Sequence, residues 1–207
     1  MLERAPLPGL EVQTTMSPTG RVDDSYDADP DHARRSAVLI LLYGGRAQSI
    51  CFPAIIRATD GSPHSGQIGL PGGAVEDGEA FPVETALREA AEEVGLERGA
   101  VTVLGTLTPL YIPVSNYSVT PVVAASRDGR RPALIRDAGE VEEIIDLSAE
   151  SLQQNRSEDL FETPLGRIAA PCYRPADTGG IRRCVWGATA MMLAEFLACH
   201  DVAVSGT

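Results

Sequence analysis

Four charged residues close together in the chain have the types and spacing for metal-dependent chemistry. Arg88, Glu89, Glu92 and Glu93 form the pattern RExxEE. In a helix, residues three and four positions apart share a face, so Glu89 is expected beside both Glu92 and Glu93. Like charges at these spacings destabilise a helix by roughly 0.2–0.5 kcal/mol per pair. A bound divalent cation would turn this repulsion into attraction.

The ligand chemistry of the cluster suits a hard cation. It contains carboxylate oxygens and no His or Cys, and such oxygens favour Mg²⁺ or Mn²⁺, ions that often bridge a few carboxylates to substrate phosphates. The alternative is a solvated acidic helix face. The glycines that flank the cluster, Gly72-Gly73 and Gly95, and the apolar residues between them favour the metal site.

One helix must position these carboxylates. Pro82 is suited to the first turn, where its missing N–H has no helical partner, and Gly95 is suited to the left-handed conformation after the last turn. The pattern therefore predicts a helix from about Pro82 to Gly95. Its buried side would carry Val83, Ala86, Leu87, Ala90, Ala91 and Val94.

The stretch from Leu70 to Leu96 resembles the signature of the Nudix hydrolases, G-x5-E-x7-R-E-U-x-E-E-x-G-U, where U is aliphatic. The matching positions are Gly73, Glu79, Arg88, Glu89, Ala90, Glu92, Glu93, Gly95 and Leu96. Eight residues instead of seven separate Glu79 from Arg88. That extra residue is shared with the coenzyme A pyrophosphatase branch of the family.

The resemblance implies an α/β fold, a Nudix-type α/β/α sandwich with a mixed β-sheet. It also implies that Glu89 and Glu93, with the backbone carbonyl of Gly73, hold Mg²⁺ or Mn²⁺, and that Glu92 is a further metal ligand or helps to position the attacking water. Arg88 would orient these carboxylates within the catalytic group, and Glu79 would fix the loop against the helix. A further assisting glutamate is expected from a later loop or strand, where the candidates are Glu140, Glu142 and Glu143.

A second motif of the coenzyme A branch, approximately LLTxRSxxxRxxxGxxxFPGG, is similar to the loop before the helix. Its matches are Arg57, His64, Gly66, Gln67 and Pro71-Gly72-Gly73. Three positions depart from it: Ser62 replaces the second Arg, Gly61 an apolar residue, and Leu70 the Phe. Loss of a guanidinium that could fork onto a phosphate puts coenzyme A specificity in doubt.

The resemblance implies substrate-binding roles for Arg57, His64 and Tyr117. Tyr117 belongs to VSNYSVTPVV, which is again similar to the coenzyme A branch. Simpler interpretations stay open: a surface arginine, a turn histidine and an ordinary strand aromatic. The segment Arg127 to Glu140 is locally basic, and we expect a solvated hairpin loop there rather than an anion clamp.

Three functions follow from these patterns. The first is hydrolysis of the pyrophosphate bond of coenzyme A or its acyl derivatives, giving 4′-phosphopantetheine and adenosine 3′,5′-bisphosphate. The second is the same chemistry on another nucleoside diphosphate derivative, such as ADP-ribose or a dinucleotide. The third is a noncatalytic nucleotide-binding module of the same fold.

The rest of the chain suggests one domain with a tail. Residues 1–33 are rich in proline and acidic residues and predict a flexible or draped tail, and residues 34–203 predict the Nudix domain. A central strand covered on both faces is predicted at Ser36–Tyr43, in a hairpin with Ser49–Ile56. Further strands are expected within Ala100–Leu110, Tyr117–Ala125 and Val141–Asp146, then a short helix capped by Ser148.

The C-terminal part predicts an amphipathic helix from Trp186-Gly187-Ala188-Thr189 to about Cys199. Its apolar residues, Met191, Met192, Leu193, Phe196 and Leu197, fit either the core of one chain or a homodimer interface.

Composition excludes several partners. A net charge of −12 argues against nonspecific binding of nucleic acid or an anionic membrane. No apolar run spans a membrane and the N-terminus lacks a signal-peptide pattern, so we expect a cytoplasmic protein. The family resemblance implies a small nucleotide-containing substrate. The four cysteines lack metal or disulfide spacing and are expected to be reduced.

Overall fold

The structure is a computed structural model, and it describes residues 6–18, 29–46, 49–59, 65–163, 166–175 and 184–205. The helices are α1 (Gly9–Gln13), α2 (Val83–Val94), α3 (Ala149–Gln154) and α4 (Gly187–Ser205). The strands are β1 (Arg34–Gly44), β2 (Ile50–Arg57), β3 (Ile68–Gly69), β4 (Gly72–Ala74), β5 (Val101–Thr106), β6 (Leu110–Ile112), β7 (Tyr117–Ser126), β8 (Val141–Ser148), β9 (Arg156–Thr163), β10 (Gly166–Tyr173) and β11 (Val185–Trp186).

Strand β1 lies at the centre of the larger sheet, whose main path runs β3-β2-β1-β7-β5. It pairs with β7 in parallel from Arg34↔Tyr117 to Leu42↔Ala125, and with β2 and β4 in antiparallel register. The residues from Ala37 to Leu41 are buried, because helices cover the sheet on both faces. The predicted central strand and its hairpin with β2 are therefore confirmed.

One helix packs on each face of this sheet. On one face, Ala86, Ala90 and Val94 of α2 pack with Leu39 and Leu41 of β1. The other face is covered by α4, whose Leu193 and Phe196 join Ile40, Phe52 and Val123 in a second cluster. The mixed α/β sandwich expected from the sequence is confirmed.

Helix α2 begins and ends as its sequence predicts. Pro82 is its N-cap residue, and Gly95 is its C-cap residue with φ of 64° in the left-handed region. The N–H groups of Gly95 and Leu96 donate to the carbonyls of Ala91 and Ala90 and close the last turn. The predicted cap of α3 is also present, because the hydroxyl of Ser148 accepts from the N–H of Ser151.

The hairpin β9–β10 is a feature that the sequence did not predict. With β11 it forms a three-stranded antiparallel sheet in the order β11-β10-β9. Exposed and half-buried residues alternate along β9, so only one of its faces meets the rest of the molecule. The charged residues of β9 obscured the alternation that would have predicted a strand.

The amphipathic character predicted for α4 is wrong. Residues 192–197 are buried on all sides of the helix, because the main sheet lies against one side and the N-terminal segment against another. The five apolar residues singled out in this helix are buried or half-buried within one chain. Packing in the monomer accounts for their burial.

Part of the predicted N-terminal tail is packed. Residues 6–18 contain α1 and a short 3-10 helix, Thr14–Met16, and both contact α4. Gln13 and Met16 are fully buried. Of the two forms that the sequence suggested for this tail, these residues take the draped one, not the flexible one.

The segment from Arg127 to Glu140 is not a hairpin, which corrects the prediction. It connects β7 to β8, but β8 pairs with β2 while β7 pairs with β1, β5 and β6. The segment crosses the end of α2, where the N–H of Ile135 donates to Val94 and that of Asp137 to Glu93. It therefore caps the last carbonyl groups of α2.

Candidate active site

The centre of the candidate site is the contact between α2 and the glycine loop. The N–H of Gly72 donates a 2.8 Å hydrogen bond to Oε2 of Glu93. Glu93 is only 2% exposed. A Cβ atom at Gly73 would overlap the carboxylate of Glu89. The missing side chain of Gly73 thus makes room for Glu89, while the backbone N–H of Gly72 holds Glu93.

Gly72 is also required by the sheet. Its φ of 156° lies outside the usual range for other residues, and a Cβ there would overlap the carbonyl of Ala37 on β1. The pairing of Val38 with Gly72 and of Ala37 with Gly73 brings the loop onto the central strand. This close approach fixes the loop against the surface that α2 covers.

Arg88 connects the loop to the acidic face of α2. Its Nε donates to Oε1 of Glu79 at 2.7 Å, and its Nη1 to Oε2 of Glu92 at 2.8 Å. Its Nη2 donates to Oε1 of Glu89 at 2.9 Å and to the carbonyl of Ala74 at 2.8 Å. One guanidinium therefore orients three carboxylates and a backbone carbonyl.

Glu79 holds the loop to the first turns of α2. Its Oε2 accepts from the N–H of Glu76 at 2.9 Å and from Oγ1 of Thr85 at 2.7 Å. Hydrogen bonds from the Glu76 N–H, Arg88 and Thr85 lower the pKa of Glu79 to about 2. Glu79 and Arg88 thus form their contact although eight residues, one more than in the family signature, separate them.

Burial is the largest influence on the pKa of Glu93. Desolvation raises the pKa of Glu93 to about 7, although Arg57 and the N–H of Gly72 act in the opposite direction. Nη1 of Arg57 lies 3.7 Å from Oε1 of Glu93. Arg57 ends β2, and its side chain is 36% exposed, so the guanidinium contacts Glu93 and still reaches solvent.

A third carboxylate approaches from the segment before β8. Burial raises the pKa of Glu89, and the negative charges of Glu92 and Glu140 raise it further. Glu140 also raises the pKa of Glu93. The charge of Glu140 therefore acts on both carboxylates of α2. A turn around Asp137, which accepts from the N–H of Gly139 at 2.7 Å, precedes it.

The other two candidate glutamates have different surroundings. Glu142 accepts a 3.3 Å hydrogen bond from Thr59, and Glu143 is paired with Ile56 in the sheet. All three glutamates are exposed. Of the three candidates, Glu140 has the strongest electrostatic effect on Glu89 and Glu93.

The structure brings most of the predicted residues together and separates one. Arg88, Glu89, Glu92 and Glu93 lie on α2 beside Gly73, and Arg57 contacts Glu93. Tyr117 packs with the cluster on the opposite face of the sheet. Its ring lies under the guanidinium of Arg34, 4.1 Å from Cζ to the ring centroid.

Two predicted positions, His64 and Ser62, lie outside the described residues. Leu70, a third position of that motif, is 2% exposed and belongs to the core. The replacement of the motif's Phe by Leu70 therefore affects the packing of the core.

Comparison with known proteins identifies the family. Residues 33–163 match the family model described as the NUDIX domain. The chain belongs to the Nudix hydrolase family. It is 32% identical over 196 residues to "Nudix hydrolase 15, mitochondrial" of Arabidopsis thaliana, covering 88% of this chain and 68% of that protein.

Other relatives match over shorter lengths. "Nudix hydrolase 22, chloroplastic" of Arabidopsis thaliana is 31% identical over 162 residues, covering 77% of this chain and 53% of the relative. "Uncharacterized Nudix hydrolase NudL" of Escherichia coli K12 is 52% identical over 60 residues, covering 29% of this chain and 31% of the relative. This chain thus spans about half of one relative and a third of the other.

Solved structures share the fold at low identity. A Nudix hydrolase from M. smegmatis, RenU, superposes with a TM-score of 0.55 at 15% identity, covering 84% of this chain and 87% of that one. A MutT/nudix family protein from Enterococcus faecalis gives a TM-score of 0.50 at 17% identity, covering 83% and 62%.

Nudix hydrolases generally use divalent metal ions, and the donor set here fits them in part. Across the described ranges, no group of three His, Cys, Asp or Glu side chains forms a ready metal cage. Burial and nearby negative charges nevertheless raise the pKa values of Glu89 and Glu93. A bound cation would offset this repulsion and favour the ionised carboxylates. Mg²⁺ is commonly bound by one or two carboxylates, with waters and substrate phosphates completing the shell.

One functional contact escaped the sequence analysis. Thr85 is fully buried and donates to Glu79, so it supports the loop from within α2. It lies three positions before Arg88 on the same helix. The sequence did contain a signal for this contact: Thr85 is a hydroxyl residue on the otherwise apolar side of the helix, three positions before Arg88.

Proposed function

We propose that this Nudix hydrolase is a pyrophosphohydrolase that cleaves coenzyme A or its acyl derivatives to 4′-phosphopantetheine and adenosine 3′,5′-bisphosphate. The observation that carries the hydrolase part of the proposal is the buried carboxylate of Glu93, held by the Gly72 N–H at 2.8 Å and faced by Arg57 at 3.7 Å. The choice of coenzyme A rests on the resemblance of the loop motif and of VSNYSVTPVV to that branch. A buried acid beside a half-exposed guanidinium suits a polyanionic substrate that arrives with cations.

In this proposal Glu89, Glu92 and Glu93, with the carbonyl of Gly73, hold Mg²⁺ or Mn²⁺. When bound, such an ion would supply charge withdrawal from the phosphates and a more acidic water. Arg88 keeps the carboxylates of Glu89 and Glu92 in place through its fork of hydrogen bonds. Glu79 holds that guanidinium in turn.

Arg57 and Glu140 have roles toward the substrate and the nucleophile. The exposed side of Arg57 donates to a phosphate oxygen of the anhydride. Glu140, whose charge acts on Glu89 and Glu93, is in this proposal the assisting carboxylate that accepts a proton from the attacking water. Glu140→Gln should therefore lower kcat, while Glu143→Gln, an equal charge change on the adjacent strand, should not.

The same site supports a second substrate class. If Ser62 leaves the coenzyme A branch without a needed guanidinium, the substrate is another nucleoside diphosphate derivative, such as ADP-ribose or a dinucleotide. Ser62→Arg should then raise kcat/KM for coenzyme A. An unchanged kcat/KM would remove the missing guanidinium as an explanation.

Product identification tests the proposal directly. Purified protein with Mg²⁺ or Mn²⁺ is incubated with coenzyme A, acyl-coenzyme A, ADP-ribose, NADH and diadenosine polyphosphates, and the products are measured by mass spectrometry. Release of 4′-phosphopantetheine as the main product supports the first substrate. Preferential cleavage of another compound reassigns the pocket, and no cleavage of any favours the noncatalytic nucleotide-binding module.

The remaining expectations about partners and location are proposals as well. Among the described residues, no helix is both long and apolar enough to cross a membrane. A cytoplasmic location, a homodimer and the lack of nucleic-acid partners stay predictions. The names of two relatives place them in mitochondria and chloroplasts.

A further inference from the structure

Backbone hydrogen bonds tie the segment that carries Glu140 to two sides of the candidate site. The N–H of Asp137 donates to the carbonyl of Glu93 at 2.9 Å. Three residues later in the chain, the carbonyl of Glu140 accepts from the N–H of Ala58 at 2.9 Å. Ala58 follows Arg57, whose guanidinium lies 3.7 Å from Glu93. Glu140 is therefore held between the helix with the acidic residues and the end of the strand that carries Arg57.

An extra residue in β8 sets the position of Glu140. In the register of β2 with β8, Ile56 pairs with Glu143 and Arg57 with Val141. Strand β8 therefore contains one residue more than β2 at this point, as in a β-bulge. The shift turns Val141 onto the apolar side of α2, where it is fully buried. It also places Glu140 opposite the residue that follows Arg57.

The carboxylate of Asp137 closes the turn that leads to Glu140. Its Oδ1 accepts from the N–H of Gly139, two residues on, at 2.7 Å, which is the hydrogen bond of an Asx turn. The backbone carbonyl of Asp137 accepts from the N–H of Val141 at 2.9 Å. Gly139 and Val141 flank Glu140 in the chain. One residue therefore fixes the backbone on both sides of Glu140.

The placement of the Glu140 carboxylate depends on this backbone. Its side chain is exposed, so packing against the core does not restrict it. Its negative charge nevertheless raises the pKa values of Glu89 and Glu93, in agreement with the hydrogen bonds that bring the segment to α2. Ordering an exposed side chain costs conformational entropy, and a fixed backbone reduces the part of that cost that remains.

We propose that Asp137 is a positioning residue, whose carboxylate holds the turn that directs Glu140 toward the acidic face of α2. This rests on the proposed function, in which Glu140 accepts a proton from the attacking water. A general base must lie within hydrogen-bond reach of that proton, and a displacement of about 1 Å can lower a rate about a hundredfold. Asp137 acts through Glu140 and does not touch the substrate.

Two substitutions at Asp137 separate its hydrogen bond from its charge. Asp137→Asn keeps an oxygen that can accept from Gly139, whereas Asp137→Ala removes it. Asp137→Ala should lower kcat about tenfold or more and change KM less than about twofold. Asp137→Asn should keep kcat within about threefold of the wild type.

The chain contains a matched control for this turn. Oδ1 of Asp128 accepts from the N–H of Arg130 at 2.9 Å, again two residues on and in the same connection between β7 and β8. The neighbouring Gly129 accepts from the N–H of Gly44, where β1 ends, and not from the strand ends around the site. Asp128→Ala should leave kcat unchanged. A kcat for Asp137→Ala equal to that of Asp128→Ala overturns the positioning role.

A double substitution tests whether Asp137 acts through Glu140. Glu140→Gln should lower kcat, and Asp137→Ala added to it should lower kcat less than about twofold further, since the two changes remove one shared effect. Two effects that multiply in full overturn the proposal, because Asp137 would then act by another route. Thermal unfolding of each variant checks that the fold is intact.

Amide hydrogen exchange, followed by NMR, reports on the turn without turnover. In Asp137→Ala, the amides of Ala58 and Val141 should exchange about fivefold faster or more than in the wild type, since the turn that holds their acceptors is released. In Asp137→Asn the exchange rates should match the wild type. Unchanged rates at both amides in Asp137→Ala overturn the proposal.

The positioning role and the proposed function fail in different ways. Normal turnover in Asp137→Ala, with a lowered kcat in Glu140→Gln, overturns the positioning role and leaves the proposed function standing. Normal turnover in Glu140→Gln overturns the roles of both residues but not the hydrolase. If the wild type cleaves none of the compounds, the proposed function is overturned, and faster amide exchange in Asp137→Ala still supports the hold of Asp137 on the turn.

Discussion

The guanidinium of Arg57 lies 3.7 Å from the carboxylate of Glu93, at the boundary between buried and exposed parts of the candidate site. This separation is longer than a hydrogen bond, so the ion pair is loose. Glu93 is instead held by the Gly72 N–H at 2.8 Å. Arg57 therefore remains available to a substrate phosphate while it still offsets part of the buried charge.

Replacing Glu93 by Gln should remove activity and preserve the fold. The amide oxygen can still accept from the Gly72 N–H, but the charge that a cation requires is lost. We expect kcat to fall by at least about a hundredfold. Steady-state kinetics measures this, with Glu97→Gln as the control, since Glu97 is exposed just beyond α2. Turnover close to that of the wild type would place Glu93 outside the metal site.

The raised pKa of Glu93 predicts a pH-dependent stability in chelated protein. The pKa rises from 4.5 to about 7 on folding, so the protonated carboxyl favours the folded state. Its contribution is complete below the lower value and is lost as pH rises through the higher one. The loss corresponds to roughly 3 kcal/mol of unfolding free energy.

Urea unfolding near pH 5 and near pH 8, in excess chelator, tests this sign. The wild type should lose stability relative to Glu93→Gln between these two pH values, because Gln cannot titrate. Parallel stability curves for the two proteins would show that Glu93 titrates at an ordinary pKa.

Arg57 should govern substrate capture more than folding. Arg57→Ala removes a half-exposed guanidinium, and we expect kcat/KM to fall about tenfold or more through loss of a phosphate contact. Arg57→Lys should recover only part of this, because an ammonium cannot fork onto two oxygens. Arg130→Ala, at an exposed loop position, controls for net charge. Equal effects of Arg57→Ala and Arg130→Ala would reduce the role of Arg57 to general electrostatics.

Arg88 should be required for stability as well as for activity. Its side chain is 14% exposed and donates to Glu79, Glu89 and Glu92. Arg88→Lys cannot satisfy these acceptors together, and we expect a loss of about 2–3 kcal/mol in unfolding free energy. Chemical unfolding compares it with Arg98→Lys at an exposed position. A loss no larger than in Arg98→Lys would contradict the linking role of Arg88.

Local signals explain what could be predicted from the sequence. Pro82 and Gly95 mark the ends of α2, and the spacing of Arg88, Glu89 and Glu93 is a property of one helix. The apolar run of β1 likewise indicates a covered central strand. Each of these features depends on residues within a few positions of one another, so their interpretation required no knowledge of the tertiary fold.

The features that could not be predicted depend on distant contacts. The charged residues of β9 conceal a strand whose half-buried face includes Phe161, which stacks on Trp186 from another strand. Tyr117 has the right sequence context but lies on the face opposite to α2. Glu140 acts electrostatically on Glu89 and Glu93, and sequence spacing alone does not specify this proximity.

The buried carboxylate of Glu195 makes the contacts that are most distant in sequence. It is fully buried in α4, and its Oε2 accepts a 2.7 Å hydrogen bond from Nε2 of Gln13, 182 positions earlier in the chain. It also accepts from the N–H of Gly9 and from the N–H and hydroxyl of Thr108. A buried charge is tolerated only when such donors are present, so α1 is part of the fold.

Removal of these donors should therefore destabilise the protein. Gln13→Ala should lower the unfolding free energy by about 1–3 kcal/mol, since it leaves a buried carboxylate with one donor fewer. Deletion of residues 1–18 should cost more, because it also removes the buried side chain of Met16. Urea unfolding measures both, with Glu11→Ala as the control on the exposed side of α1. If the deletion left the unfolding midpoint unchanged, residues 6–18 would contribute nothing to the stability of the domain, and the hydrogen bonds to Glu195 from Thr108 alone would suffice.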